Sequence, residues 1–534
     1  MRAPAVRAET AEFTIAATLI SMSNPFSRLA TAKAALLMTG STYVSFLFGL
    51  IVSAVIARSI GPEDFGRYAF VVWLSGVLVQ FANNGLNTTG IRFISENLGR
   101  GALQGASDVH GWLLRRQYIC LAVTTLAFLI CMPWLVPKSW NMHVGVFAAV
   151  VIVSMATKAI YLFDVSVAKG YGQYTVEAYT NMSLSGVNLL CVLILYAVKA
   201  PAVAYLILFG ATSIGYFVMT RRRLHSRRIM PTPHGLDEGI APRLRSHLIW
   251  TVVLTIAAAL GNKASETYLL SNYSGPAEVG FFAIAAALTR GGAELLSAGL
   301  NSVLMPLMGH AFGAGGSERV NAILSDAVRF FTFAGLLLAG VGFLWANPAI
   351  LLMYGAQYQP ATAVFQVMVL VAGLTMCQGA FGALLSTTDH QRVRAFVAAL
   401  SVVASALVAI ALVPTYGLKG AVLAHAASSA LIFIVVCVCI VKAFSVSLPW
   451  RELSRLLLAS IVAASTAFAC VSMGSGIAVE LLGGLVYGAT FVVGTFLFRA
   501  WKHTDLATVM PLAQRYPRVL GRLLPTLAGW THRP

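Results

Sequence analysis

Charged side chains are scarce in this sequence, at 10% of 534 residues, whereas 58% of the residues are hydrophobic. Soluble chains average roughly 25% charged residues. A water-soluble protein of this length would lack the charge to cover its surface, which argues against an ordinary cytosolic enzyme or binding module. Many windows of about 20 residues are almost free of charge, the length that crosses a bilayer. A lipid-exposed backbone must form its hydrogen bonds within itself, so we expect these windows to be helical.

Reactive motifs are also missing. None of the seven cysteines stands in a C-x-x-C pair or at zinc-ligand spacing, so we interpret them as small packing residues. The nucleotide-binding pattern G-x-x-x-x-G-K-[ST] does not occur, and no nucleophile–base set stands out. We therefore predict no cofactor, no metal and no enzymatic activity. The net charge is +18, but the cations lie in loops between apolar windows. Membrane lipids, not nucleic acid, are the expected partners.

The apolar windows predict an all-α polytopic membrane protein with about fourteen transmembrane helices. The predicted helices are 34–57, 68–88, 117–137, 144–163, 180–198, 201–220, 248–271, 279–303, 330–349, 363–386, 395–414, 420–441, 455–475 and 478–498.

Lysine and arginine are distributed unevenly between the two sides of these helices. With the N-terminus inside, the cytoplasmic segments hold 29 of the 37, counting Arg455 at the inner end of its helix, and the outer loops hold 5. Cytoplasmic loops collect such residues, so the count predicts that both termini are cytoplasmic. We interpret residues 1–33 as a cytoplasmic tail, within which Met22 is a candidate native start.

The sequence contains an internal repeat. Residues 61–69 read GPEDFGRYA and residues 275–283 read GPAEVGFFA, an offset of 214 at which Gly85-Leu86-Asn87 also meets Gly299-Leu300-Asn301. The offset contains six predicted helices, so the halves are parallel repeats, and such folds commonly bind substrate at the repeat interface. The predicted domains are a tail 1–33, an N-lobe 34–220 with helices 1–6, a basic cytoplasmic linker 221–247, a C-lobe 248–441 with helices 7–12, a helix pair 455–498 and a basic cytoplasmic tail 499–534.

The stretch AVIARSIGPEDFGRY, residues 54–68, resembles the start of Wzx-type polysaccharide flippases in the multidrug/oligosaccharidyl-lipid/polysaccharide exporter superfamily, with Ile60 where leucine is usual. The segment LLMYG at 351–355, followed by Tyr358, is similar to a later loop of that family. The resemblance implies a bacterial inner-membrane carrier that moves an undecaprenyl-diphosphate-linked oligosaccharide to the outer leaflet by alternating access. A glycan polymerase would be a further partner.

Apart from Arg455 and Glu480 at helix ends, five charged residues lie inside predicted helices: Lys158, Lys263, Glu266, Arg290 and Glu294. The spacings 263/266 and 290/294 put each pair on one helical face. The pairs either neutralise themselves and pack two helices together or line a wet cavity in which a cation meets the diphosphate, as intramembrane charges commonly mark pathways. Lys158 has no acid within a turn of its own helix. It either binds an anion or extends to the interface.

Asn83, Asn87 and Arg92 complete the predicted substrate-binding residues, because they cluster near the inner end of helix 2. The asparagines either contact sugar hydroxyls or cap a helix. Two alternatives to the flippase stay open. One is a cation-coupled drug antiporter of the same superfamily. The other is a membrane glycan polymerase or ligase, which the uncharged longest outer loop, 350–362, disfavours.

Overall fold

The structure, a computed structural model, describes residues 28–136, 144–232, 235–236, 239–261, 264–387, 391–444 and 448–502. These ranges are almost wholly helical and contain no strand, which confirms the all-α fold. They form sixteen α-helices: α1 Arg28–Asn83, α2 Leu86–Gly99, α3 Leu103–Leu135, α4 Val144–Gly170, α5 Thr175–Ala197, α6 Ala202–Ser226, α7 Ala241–Gly261, α8 Ala264–Tyr273, α9 Pro276–Thr289, α10 Leu295–Leu344, α11 Ala346–Met353, α12 Ala361–Leu374, α13 Gln378–Thr387, α14 Gln391–Phe444, α15 Trp450–Ser472 and α16 Ile477–Leu497.

Eleven helices of the described residues are long and apolar enough to cross a membrane. Two of them, Leu37–Asn83 with 47 residues and Ala395–Lys442 with 48, are about twice the length of a span. The pair Ala361–Leu374 and Gln378–Leu385, bent by 50°, forms one further broken span. If each double-length helix counts as two spans and the bent pair as one more, the eleven candidates become about fourteen transmembrane spans, in agreement with the prediction. The chain is therefore a multi-pass membrane protein.

The two double-length helices are each interrupted at a glycine. Gly61 in α1 has φ 77° and ψ 173°, and Gly417 in α14 has φ 54° and ψ −130°. Positive φ costs little only for glycine, so the chain can end one span and begin the next there. Pro62 follows Gly61 directly, and proline suits the first turn of the restarting helix.

One compact unit contains the described residues of Met1–Val52, Leu74–Val136 and Met142–Ile256. Its core joins α2, α3, α4, α6 and α7 through fully buried apolar side chains. Representative members are Phe93, Ile94, Leu113, Phe163, Leu224 and Leu244.

The second compact unit contains Ser53–Trp73 and the described residues of Ala257–Pro534. In one of its cores, α10 packs with α13 and α14. In another, α10 packs with the C-terminal pair α15 and α16. There the Tyr487 hydroxyl donates to the Leu336 carbonyl at 3.0 Å, and the Phe491 ring stacks on Phe333 with centroids 5.4 Å apart. The C-terminal pair is thus fixed to this unit.

Two polar segments between predicted helices are themselves helical, so the predicted bounds are wrong there. Residues 89–116 contain most of α2 and the start of α3, and residues 304–329 continue α10 without a break. In α2 the buried Leu86, Phe93 and Ile94 recur at helical spacing beside polar neighbours. Such an amphipathic helix has too little apolar content to register as a membrane-spanning window.

The repeated motif produces a reciprocal contact inside the second unit. A Cβ added to Gly66 would overlap the Pro276 carbonyl. A Cβ added to Gly280 would lie 3.1 Å from the Pro62 oxygen. Both the two glycines and the two prolines are related by the offset of 214. Repeat-related positions therefore meet each other, and the crossing leaves no room for a side chain at Gly66 and is tight at Gly280.

Candidate functional site

Lys158 lies in the middle of α4, and aromatic rings of α4 and α6 hold its ammonium group. Nζ is 4.6 Å from the ring centroid of Tyr216 and 5.8 Å from that of Tyr161. The rings are fixed in turn: the Tyr161 hydroxyl donates to Asn181 Oδ1 at 2.6 Å, and the Tyr216 hydroxyl lies 3.1 Å from Ser185 Oγ. Over the described ranges no carboxylate forms a salt bridge with this lysine. Cation–π contact stabilises the charge without neutralising it.

Nearer the end of α4, the carboxylate of Asp164 pairs with an arginine of α6. Asp164 is 1% exposed, and Arg221 Nε lies 2.6 Å from its Oδ2. A charge buried this deeply is costly unless it is paired, so the guanidinium accounts for the carboxylate. Asp164 and Arg221 border a cavity together with His110 of α3.

The asparagines lie where α1 ends and α2 begins. Asn83 is 2% exposed, and within the described residues neither amide atom of its side chain has a hydrogen-bond partner. The same holds for Asn87 Oδ1. Gly85 occupies the N-cap of α2, and no side chain caps it there. At the end of α1, Asn84 has φ 43°, a conformation typical of a residue that ends a helix, so capping of that end and sugar contact both stay predictions.

Arg92 is exposed on α2, with its guanidinium carbon 5.5 Å from the Phe93 ring centroid. It borders a cavity of about 500 Å³ together with Arg243 and His247 of α7. Arg243 is paired with Glu96 at 2.9 Å. Arg92 is thus at an open, basic edge of the first unit, separate from Lys158 in the span.

The two predicted ion pairs of the second half are only partly described. Glu266 on α8 is 1% exposed and accepts a hydrogen bond from Ser405 Oγ of α14 at 2.8 Å. Lys263 lies outside the described residues, and so does the side chain of Glu294. The predicted pairings 263/266 and 290/294 therefore stay predictions.

Arg290 begins a single π-helical turn, Arg290–Glu294, within the candidate span Pro276–Ser297. Its side chain is exposed. π-helical turns occur frequently at functional sites. An arginine facing hydrocarbon is costly, so an exposed one in a span indicates a hydrated surface beside it.

The break in α1 is covered by the end of α11 and the segment after it, in the second unit. Arg58 Nε donates to the Met353 carbonyl at 2.8 Å, and Nη2 donates to that of Leu352 at 2.5 Å. The Tyr358 hydroxyl donates to the Ala57 carbonyl at 2.7 Å. Burial raises the pKa of Tyr358, so the hydroxyl keeps the proton that it donates.

The aromatic side chains of Phe65 and Phe281 pack edge-on against Tyr358, with centroid distances of 6.0 Å and 6.1 Å. Phe65 directly precedes Gly66 and Phe281 directly follows Gly280, so both rings lie next to the glycine crossing. The repeated motif is therefore a packing site at this end of the unit.

Sequence reasoning missed the partners of the charged residues. Tyr161 and Tyr216 around Lys158 carry no charge signal, and they read as ordinary span aromatics. Arg221 was visible as part of a basic segment, 57 positions from Asp164. Helix spacing alone could not bring those two together. The signal in the sequence was Asp164 itself, since a buried carboxylate with no partner on its own helix needs a cation from another helix.

Solved membrane transporters have this fold. The lipid II flippase MurJ in an inward closed conformation matches with a TM-score of 0.68 at 13% identity, over 88% of this chain and 100% of that chain. An inward-facing multidrug resistance MATE transporter of the MOP superfamily matches with a TM-score of 0.61 at 15% identity, over 75% and 95%. A MATE transporter of Vibrio cholerae matches with a TM-score of 0.56 at 17% identity, over 79% and 98%.

At these identities the likeness shows the fold alone. The sequence itself provides the family. The profile described as "Polysaccharide biosynthesis protein" matches residues 31–312, more than half of the chain. The chain belongs to this polysaccharide biosynthesis protein family. No curated protein matches it in sequence.

Proposed function

We propose that this protein is a carrier that moves an undecaprenyl-diphosphate-linked oligosaccharide from the inner to the outer leaflet of a bacterial inner membrane by alternating access. Both termini would be cytoplasmic, as the distribution of lysine and arginine predicts. Membership of the polysaccharide biosynthesis family supports the cargo class. A diphosphate and its sugars need such a carrier, because burying polar and charged groups in hydrocarbon costs several kcal/mol each.

The observation on which the proposal depends is Lys158. Its ammonium lies in a span, against two tyrosine faces. Contact with the tyrosine rings leaves N–H donors of the ammonium available to an anion, whereas a salt bridge with a carboxylate would already neutralise the charge. Arg290, exposed in its π-helical turn, would provide bidentate contact to phosphate. The buried amide of Asn83, whose atoms have no partner among the described residues, would meet sugar hydroxyls.

Lys158→Ala tests the role of this cation. We expect export of the polysaccharide to fall about tenfold or more, because a charge-assisted hydrogen bond is worth roughly 1.5–3 kcal/mol. Lipid-linked repeat units should accumulate on the cytoplasmic leaflet. Lys158→Arg should retain part of the activity, since the positive charge remains. Measurements use a strain lacking the native gene, with membrane insertion checked by protease accessibility.

Lys169→Ala is the matched control, because it removes the same charge from the same helix where Glu177 already pairs with it at 2.6 Å. Export should stay near the wild-type level. Near-normal export by Lys158→Ala would contradict the proposal.

The MATE-like fold keeps a drug antiporter as the second candidate. Drug resistance that disappears in Lys158→Ala, with polysaccharide unaffected, would favour the antiporter.

A further inference from the structure

A second basic site lies in the first unit, at the end of α6. Its cavity has a volume of about 410 Å³. The polar and charged residues that border it come from α3, α4 and α6. They are His110, Asp164, Arg221, Arg222, His225 and Ser226.

The charges of this cavity are arranged for an anion. Arg221 and Asp164 compensate each other through the contact at Nε, which does not use the terminal nitrogens of the guanidinium. Nη2 lies 3.5 Å from the Tyr118 hydroxyl, a weak contact. The side chain of Arg221 is 32% exposed, and Arg222 is exposed on the next position. With Asp164 neutralised, Arg222 gives the cavity a net positive charge.

His110 provides an independent sign of a ligand. It is 3% exposed, and within the described residues its Nδ1 has no hydrogen-bond partner. Buried polar atoms in native structures are nearly always paired, with protein, water or a ligand. An unpaired imidazole nitrogen bordering a basic cavity therefore indicates a group that is bound there.

The remaining lining of the cavity is apolar, formed by Leu224, Ile229, Met230 and Pro231. Arginine forks match the tetrahedral oxygens of phosphate, and basic pockets between transmembrane helices bind lipid head groups. We infer that this cavity binds a phosphate group, with Arg221 and Arg222 on the anion and His110 as a third polar contact. The phosphate is either that of an anionic lipid or that of a soluble phosphate compound.

The experiment uses the purified full chain in a neutral detergent. One arm titrates inorganic phosphate and pyrophosphate and follows the shift of thermal unfolding. The other arm adds phosphatidylglycerol and counts bound lipid by native mass spectrometry. Binding in the first arm identifies a soluble ligand, and binding in the second arm alone identifies the lipid. Absence of binding in both arms would overturn the inference.

Arg222→Gln should weaken binding by about tenfold, the effect of losing one charge-assisted phosphate contact. Arg223→Gln is the matched control, because it removes the same charge one residue later. Arg222 borders both the proposed cavity and a neighbouring one, whereas Arg223 borders only the neighbouring one, with its guanidinium carbon 5.6 Å from the Tyr179 ring centroid. It should leave the affinity within about twofold. Equal losses of affinity in both variants would mean that phosphate is attracted by the basic surface in general, and would overturn the proposed site.

His110→Phe keeps a ring of similar shape without its nitrogen atoms. We expect about threefold weaker binding and unchanged unfolding without ligand, since a neutral hydrogen bond contributes roughly 0.5–1.5 kcal/mol. An unchanged affinity would remove His110 from the site. None of these variants alters the residues proposed for transport, so their outcome is independent of the carrier proposal.

Discussion

The two glycine–proline segments of the repeat, 61–69 and 275–283, keep the same small residues and differ in what their acids do. Gly66 and Gly280 occupy one repeat position and pack against each other's segment. Asp64 and Glu278 also share a repeat position. Asp64 pairs within its own helix with Arg67 at 2.5 Å, whereas Glu278 accepts the Leu418 N–H at 2.9 Å. Both segments keep glycine at the close crossing, where a Cβ would overlap backbone at Gly66 and make a tight backbone contact at Gly280. The acids meet different neighbours, and they have taken different roles.

The largest effect should come from breaking the shared feature. Gly66→Ala places a methyl group against the Pro276 backbone, which cannot move aside as a side chain can. We expect a loss of about 1–3 kcal/mol in the free energy of unfolding, the usual cost of overpacking. Gly280→Ala, with its nearest atom at 3.1 Å, should cost less. Thermal unfolding in detergent measures both.

Gly76→Ala is the control for these variants. The position is helical, and a Cβ there meets nothing within 4 Å. Alanine is favoured over glycine in helices by about 1 kcal/mol, so this variant should be as stable as the wild type or more so. Equal unfolding of Gly66→Ala and Gly76→Ala would show that the crossing is not close in solution.

The second largest effect concerns a charge that only one repeat has. Arg290 corresponds to Gly76 at the offset of 214. Arg290→Ala should reduce polysaccharide export to about a tenth or less, since a phosphate contact of roughly 1.5–3 kcal/mol is lost. The protein should still insert, because the side chain is exposed. Normal export would mean that the asymmetry between the repeats has no part in transport.

Much of the fold was predictable, because the lengths of the apolar segments and the internal repeat can be read directly from the order of residues. The predicted gaps at 58–67 and 415–419 contain the breaks that the structure has at Gly61 and Gly417. Helix α2 was not predicted, and α10 continues through a predicted loop, since amphipathic segments bury one face without long apolar runs. These errors concern the segments between predicted spans and leave the all-α architecture intact.

The candidate site was less predictable, because its contacts join distant helices. Lys158 was found from its charge alone, yet the Tyr216 ring that supports it comes from α6. Glu266 was expected to pair with Lys263 or face water, and its described partner is Ser405, 139 positions away. Charges inside a span can be identified from sequence. Their partners depend on packing, which no periodicity specifies.

The smallest effect sharpens the contrast between the two acids. The Leu418 N–H belongs to the first turn of α14 after its break at Gly417, so Glu278 acts as a cap on the restarting helix. Glu278→Ala leaves that N–H without its acceptor and should lower the free energy of unfolding by about 1–2 kcal/mol. Asp64→Ala should cost less than about 0.5 kcal/mol, because a pair with the Asp64 side chain 42% exposed contributes little in solvent. Thermal unfolding in detergent compares the two variants. The small loss of stability in Asp64→Ala should appear only at low salt, because salt screens an exposed ion pair. If the two variants lost the same stability, the repeat-related acids would be equivalent despite their different contacts, and the cap at α14 would not be contributing.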